Sequence, residues 1–455
     1  MISIPLNFLT WMRTDPSGSQ RYSRAMSGAS ALRKWVLVAF GVAVAVRWGV
    51  LAVWFWDLPI VEPGAPLNDN LYYHGSANLL AEGKGFVNPF LDRATPTAAH
   101  PPGFTVFLSM FSVLGIDSVG GHRLAAGALS ASVVFPTGLL LQRAFGLRAA
   151  LVGMAIAAAH PPLWMNDSLI LSESLAIPAA AWGLYAAHRT WEDPSLRSVL
   201  ILSGTLTVGA YTRSESALLY LLLLVPLVGF HPNLAWRARV ERVGAAAVCA
   251  LVLLAPWLIR NAVSFDEPVY LSSGAGYVVE IGNCDRTYSG NFLGYWHSDC
   301  DDGSAWPDGD ESVVGAAKLE RGREYIRAHL TEQPKVVAAR IGRMFGFYRP
   351  LQSLDFDIFL ERRERLHANI GLVSHYLMMA LAAFSVPLWR RRTSLIPPLA
   401  MIASVVMAAA ASFGISRYRV IADVALVVLA AAGIERLLQL CAARRSAQVV
   451  REPLG

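Results

Sequence analysis

Asp69 stands in the run Asn68-Asp69-Asn70-Leu71-Tyr72-Tyr73. A carboxylate beside tyrosines suits a general base that takes a proton from a hydroxyl. The same residue types also make a helix N-cap or a turn, so the run alone leaves both readings open. Glu173, in Leu171-Ser172-Glu173-Ser174, has apolar neighbours on both sides. A buried glutamate needs a partner, a proton or a metal. A catalytic role and a structural pair with Arg47 are equally compatible with the sequence. Arg213 follows an apolar run in Tyr211-Thr212-Arg213-Ser214-Glu215, Arg260 ends another, and Arg417 and Arg419 open a third in Ser416-Arg417-Tyr418-Arg419. The planar guanidinium fork matches phosphate oxygens; snorkelling to lipid headgroups is the competing use. The phosphate reading is the stronger for Arg417 and Arg419, the headgroup reading for Arg260. His100, before Pro101-Pro102, is a ligand or proton carrier in one reading and a satisfied structural donor in the other.

These residues must be held by membrane-embedded elements. The chain has 455 residues, 54% of them apolar and 16% charged, against about 25% charged in soluble domains, and its mean hydropathy is +0.42. A soluble fold, disorder and collagen-like structure are excluded. The net charge of +6 reads as a bias of cytoplasmic loops. No basic, aromatic-interleaved patch indicates nucleic acid.

Apolar segments lie near 35–56, 103–115, 123–142, 149–163, 169–188, 198–211, 215–230, 243–259, 368–389, 395–413 and 420–440. The 103–115 segment is too short for a hydrocarbon core of about 30 Å. If it lies in the interface, Arg143, Arg148, Arg237, Arg239, Arg242, Arg390, Arg391, Arg392, Arg444 and Arg445 all fall inside with the basic N-terminus, as the positive-inside rule requires. The expected fold is therefore an all-α polytopic membrane protein of about ten transmembrane helices plus a juxtamembrane helix at 103–114. Residues 1–34 form a cytoplasmic tail. Residues 35–260 form an N-terminal membrane module containing the first outer loop, 57–122. A mixed extracytoplasmic region follows at 261–366, with amphipathic helices at 311–329 and 335–347. Residues 367–440 are the C-terminal membrane helices and 441–455 a second cytoplasmic tail. No signal-peptide cleavage site follows the first apolar run, so a retained first helix is expected.

Cys284 and Cys300 share the second outer region. A disulfide between them is expected in an oxidising compartment; a zinc pair competes but lacks ligand spacing. The acidic run Asp299, Asp301, Asp302, Asp308, Asp310 and Glu311 lacks the order of a calcium loop and reads as solvated. Asn166-Asp167-Ser168 matches a permissive glycosylation motif at the end of a span and carries no weight.

In order along the chain come Asp69-x-x-Tyr72-Tyr73, Gly83-x-Gly85-Phe86, His100-Pro101-Pro102, Arg143-Ala144-Phe145-Gly146, Ser172-Glu173, Arg213-Ser214-Glu215, Ala255-Pro256-Trp257-x-x-Arg260-Asn261 and Arg417-Tyr418-Arg419. In this order the chain resembles the GT-C superfamily of integral-membrane glycosyltransferases, in the branch similar to protein mannosyltransferases and aminoarabinose transferases. Asn283-Cys284-Asp285-x-Thr287-Tyr288-x-Gly290, Gly294-Tyr295-Trp296 and Phe347-Tyr348-Arg349-Pro350 look like an actinobacterial subgroup. The resemblance covers about residues 35–440. It implies a polyprenyl-phosphate sugar donor, an acidic base in the first outer loop at Asp69, and a second acid at Glu173 that helps bind acceptor or metal. The sequence departs from the mannosyltransferase pattern in having Asn70 after Asp69, not a second acid. The large C-terminal soluble domain of many relatives has no counterpart in this sequence.

The chemistry that follows is displacement at an anomeric carbon, with inversion. Asp69 takes the acceptor proton, and Arg213, Arg417 or Arg419 meets the leaving phosphate. Tyr72, Tyr73 and His100 are further substrate-binding candidates. No cofactor is required by this scheme, with a divalent cation as the alternative, and no metal ligands are assigned. The expected partners are a polyprenyl-phosphate sugar, a lipid, glycan or protein acceptor of the cell envelope, and membrane lipids. The expected location is the plasma membrane, multi-pass, with the active site on the extracytoplasmic face. A lipid or solute transporter or flippase is the rival reading, but the internal repeats and interrupted spans usual in transporters are not evident.

Overall fold

The computed structural model describes residues 16–60, 68–91, 95–301 and 307–449. Asp302 and the outermost parts of both tails, Arg13 included, lie outside the described residues. Among the described residues there is no strand; an isolated bridge, Val87 to Pro96, is the one β-type pairing. The helical fold follows from apolar runs that in lipid must satisfy their backbone groups internally.

Among the described residues four helices are long and apolar enough to cross a membrane: Leu32–Phe55, Val119–Phe145, Trp236–Ser264 and Arg365–Arg390. Shorter apolar helices include Gly103–Val113, Leu147–Ala159, Ser214–Gly229 and Ile396–Ala411. The helix Val420–Val449 is the axis of the bundle. Its residues from Val420 to Ala432 are buried almost all round, in one core with the helices Leu147–Ala159, Glu173–Glu192 and Arg365–Arg392. Small residues permit this close packing. A Cβ on Gly433 would lie 2.2 Å from the Leu381 carbonyl oxygen of the neighbouring helix.

The site-bearing layer sits at one end of the bundle. The helix Asp69–Ala81 starts at Asn68, whose side chain accepts from Leu71 N at 3.4 Å. It packs on Gly103–Val113, whose 11 residues extend about 16 Å at 1.5 Å per residue, too short to cross. Residues 261–366 hold the helices Glu311–Ala328 and Gln333–Met344. They match the expected amphipathic pair, with the second helix starting two residues earlier and carrying Pro334 in its first turn. A third helix, Pro350–Glu361, was not anticipated. Its Pro350 fits the first helical position, where a missing N–H costs nothing. Cys284 and Cys300 are bonded, with Cα atoms 5.5 Å apart.

Three sequence boundaries shift. The 123–142 run widens to the span Val119–Phe145, with a turn at 132–133 dividing it into Val119–Ala131 and Val134–Phe145. The 215–230 run begins as the short turn Ser214–Ala217. The 169–188 run becomes α-helical only at Glu173, after the left-handed Ile170 at φ 52°.

Candidate active site

Asp69 and Arg417, 348 residues apart, are in contact: Arg417 Nη2 donates to Asp69 Oδ2 at 2.7 Å. Asp69 is the first residue of its helix, where the helix dipole favours a negative charge. Its other oxygen, Oδ1, lies 3.3 Å from His100 Nε2. A third of the Asp69 side chain is exposed, so it faces an open rim.

Arg417 sits in the tight turn Ser416–Arg419 that leads into the axial helix. It engages three carboxylates: Asp69, Glu173 through Nε at 2.6 Å, and Glu361 through Nη1 at 3.4 Å. Glu173 opens the helix Glu173–Glu192 and is fully buried. Its Oε1 also accepts from Arg213 Nη1. Arg213, at the end of the helix Leu196–Thr212, reaches Glu215 through Nε and lies over the Tyr418 ring, 5.1 Å from its centre. Four helix ends and two short turns thus meet in one ionic cluster.

Burial opposes charge on Asp69, but Arg417 first and His100 second outweigh it and hold the carboxyl well below the usual carboxylate range. For Glu361 the balance runs the other way. Burial is the largest cause and raises its proton affinity, Arg417 and Arg363 oppose it, and Asp69 and Asp357 add to it.

His100 is held by two rings and a staple. Tyr72 and Tyr73 lie 4.8 and 4.9 Å from it, centre to centre. Glu311, from the second outer region, accepts from Thr97 Oγ1 at 2.8 Å, from Ala98 N and from Ser273 Oγ at 2.8 Å. Ser272 Oγ adds a bond to the Ala99 carbonyl at 2.6 Å. The stretch carrying His100 is therefore fixed from two segments far apart in the chain.

The structure brings Asp69, His100, Glu173, Arg213 and Arg417 together. It removes Arg419, expected to bind phosphate. Arg419 turns inward to Asp423 Oδ2 at 3.1 Å and to the Met344 carbonyl at 3.1 Å, and Asp423 is bonded to His375 at 2.9 Å. Adjacent residues of a tight turn point apart, which the spacing did not reveal. Tyr72 and Tyr73, expected to touch substrate, are 4% and 1% exposed and pack beneath His100; burial pushes the Tyr72 hydroxyl up to about 12. The structural pair considered for Glu173 is also corrected. Arg47 pairs with Asp167 at 3.2 Å, leaving Glu173 to Arg213 and Arg417. Arg260 stacks on Trp257 and donates to the Phe86 carbonyl at 2.6 Å, a packing role. Glu361 was missed; it heads the charge run Glu361-Arg362-Arg363-Glu364-Arg365, which has the look of a solvated surface. Among the described residues no group of three or more metal-ligating side chains could hold an ion.

Residues 99–259 match the family model of dolichyl-phosphate-mannose-protein mannosyltransferases. In fold the chain is similar to the archaeal oligosaccharyltransferase AglB from Archaeoglobus fulgidus in complex with an inhibitory peptide and a dolichol-phosphate. That match has 12% identity and a TM-score of 0.52, over 93% of this chain and 52% of that one. The same enzyme tethered to an acceptor peptide containing the NVT sequon gives 12% identity, the same coverages and a TM-score of 0.53. ArnT from Cupriavidus metallidurans bound to undecaprenyl phosphate aligns at 17% identity over 89% of this chain and 78% of that one, with a TM-score of only 0.39. No curated protein sequence matches significantly. The chain spans about half the length of the oligosaccharyltransferase it matches. Its resemblance to the GT-C superfamily is thus found in its fold and, over residues 99–259, in its sequence.

Proposed function

We propose that the protein is a membrane glycosyltransferase that moves a sugar from a polyprenyl-phosphate donor to a hydroxyl of a cell-envelope acceptor, inverting the anomeric centre. The observation that carries this reading is the contact between a rim-exposed carboxylate and a largely buried guanidinium, Asp69 and Arg417. One is a base, the other a phosphate ligand, and they meet at one end of an apolar bundle able to hold a polyprenyl tail.

In the resting site Asp69 is a weak base because Arg417 neutralises it. A donor phosphate competes with the carboxylates for Arg417. Each bond it takes from Asp69 returns proton affinity to that carboxyl. The acceptor hydroxyl then attacks the anomeric carbon from the face opposite the phosphate. Its proton passes to Asp69, and the leaving phosphate is stabilised by Arg417 with Arg213 behind it. Because a single phosphate already leaves as an anion that an arginine can meet, the reaction is read as independent of a divalent cation; a chelator is expected to leave turnover unchanged.

The topology reading is ten spans in the plasma membrane with the site on the extracytoplasmic face. The helix Glu173–Glu192 supports it. Its 20 residues extend about 30 Å, a hydrocarbon thickness. It carries Glu173 at the site and Glu192, paired with Arg143, at the far end. Arg148 pairs with Glu435 well down the axial helix from Arg417. Arg143 and Arg148, two of the arginines read as cytoplasmic, therefore lie away from Asp69, which supports that reading.

The test is consumption of polyprenyl-phosphate mannose and arabinose by membranes carrying the wild type or Asp69→Asn at equal abundance. Loss of general-base catalysis costs on the order of 10²–10⁴-fold, so the variant is expected to spare a donor that the wild type consumes. Equal consumption by both removes Asp69 from the mechanism. No consumption with an envelope extract present as acceptor turns the reading toward transport.

A further inference from the structure

The scheme above gives Glu361 no part, yet its carboxyl belongs to the same cluster. Among the described residues four carboxylates meet there, those of Asp69, Glu173, Glu215 and Glu361, with two guanidiniums, those of Arg213 and Arg417. His100 is the imidazole in contact with them, through Asp69. Even with His100 charged, negative charge exceeds positive by one. In a site largely removed from water that imbalance favours one bound proton.

The contacts indicate where that proton resides. Asp69 has an arginine at 2.7 Å and His100 beside it; Glu173 is shared by two arginines; Glu215 is held closely by Arg213. Glu361 has a single partner among the described residues, Arg417 Nη1 at 3.4 Å. Among the described residues Asp357 and Arg363 are the other charged groups facing it, paired with each other at 3.5 Å, and the Tyr295 hydroxyl beside them donates to Asp357 at 3.1 Å. Burial and the nearby Asp69 and Asp357 favour the protonated form. Glu361 closes the helix Pro350–Glu361, and its side chain is 16% exposed. A phosphate arriving at Arg417 comes within reach of it.

We propose that Glu361 is a second catalytic residue, an acid that gives its proton to the departing phosphate. The assignment rests on the glycosyltransferase reading. In one turnover the bond from the anomeric carbon to the phosphate oxygen breaks, and its electron pair stays on that oxygen. A bond from the acceptor oxygen to the anomeric carbon forms. The acceptor proton goes to Asp69, and the Glu361 proton goes to the departing phosphate, which leaves as a singly protonated monoester. Asp69 ends protonated and Glu361 ionised, and exchange with solvent resets both.

The test is the pH dependence of kcat and KM for farnesyl-phosphate mannose or arabinose in the full-length protein, for the wild type, Glu361→Gln and Glu361→Asp. Unfolding temperatures of all three serve as the folding control. The wild type is expected to lose kcat as pH rises through the Glu361 titration. Glu361→Gln keeps the shape and a hydrogen-bond donor but has no proton to transfer. Its kcat is expected to fall on the order of 10²-fold, with little change in KM and no such alkaline limb. Glu361→Asp is expected to keep the limb at a reduced rate. Gln-variant turnover within about twofold of wild type overturns the assignment, since a proton donor is worth far more. So does equal loss in both variants with the limb retained, because that pattern belongs to a residue that only holds Arg417. If the wild type consumes neither donor, the glycosyltransferase reading falls and this assignment with it; wild-type turnover with an unaltered Gln variant removes Glu361 alone.

Discussion

At the scale of single residues, the site is a set of charges whose proton affinities are set by one another. Arg417 keeps Asp69 ionised far below the ordinary carboxylate range, against the pull of burial. Removing Arg417 takes away the largest opposing charge and leaves burial in place, so the proton affinity of Asp69 must rise. Arg417→Gln is therefore expected to lower turnover and also to move the acid limb of activity upward in pH. A pH profile of donor consumption checks this, and a limb that stays in place separates Asp69 from the titrating base. Residue types and neighbours made Asp69, Glu173, Arg213 and Arg417 legible in the sequence, because each is a costly charge beside apolar sequence. They did not make Arg419 legible. It shares its turn with Arg417, but its side chain is taken by Asp423, one helical turn later.

At the scale of elements, the site depends on staples between segments far apart in the chain. Glu311 starts one helix of the second outer region and satisfies Thr97, Ala98 and Ser273 at once. Glu311→Ala leaves the Ala98 N–H and two hydroxyls without that partner, in a part-buried place, at about 1–3 kcal/mol for such a group. Hydrogen exchange is expected to rise at Ala98 and its neighbours while the membrane helices keep their protection. Donor turnover is expected to fall through the loosened His100. Unchanged exchange at Ala98 counts against the staple. The helix Glu311–Ala328 was readable from its amphipathic pattern, as was Gln333–Met344. Pro350–Glu361 was not singled out, although it opens on a proline and closes on the carboxylate that meets Arg417.

At the scale of the whole molecule, the axial helix Val420–Val449 transmits bundle packing to the turn that holds Arg417. Its approach to the helix Arg365–Arg392 is close enough at Gly433 that a methyl would meet the Leu381 carbonyl oxygen. Gly433→Ala is expected to force the two helices apart, at about 1–3 kcal/mol for overpacking. A lowered unfolding temperature in detergent checks this; an unchanged one means the helices yield without cost.

The sequence by itself determined the class of the protein. Its apolar runs, its basic bias and the order of its motifs are local quantities, and they give a helical membrane protein with a short non-spanning helix at Gly103–Val113 and a base candidate at Asp69. Only the tertiary structure decided the partnerships. Arg47 goes to Asp167, Arg419 to Asp423, and Arg417 to Asp69, Glu173 and Glu361 together. The reason is physical. A guanidinium can satisfy any carboxylate within reach, and reach is set by how helices from distant parts of the chain pack, which no local pattern encodes.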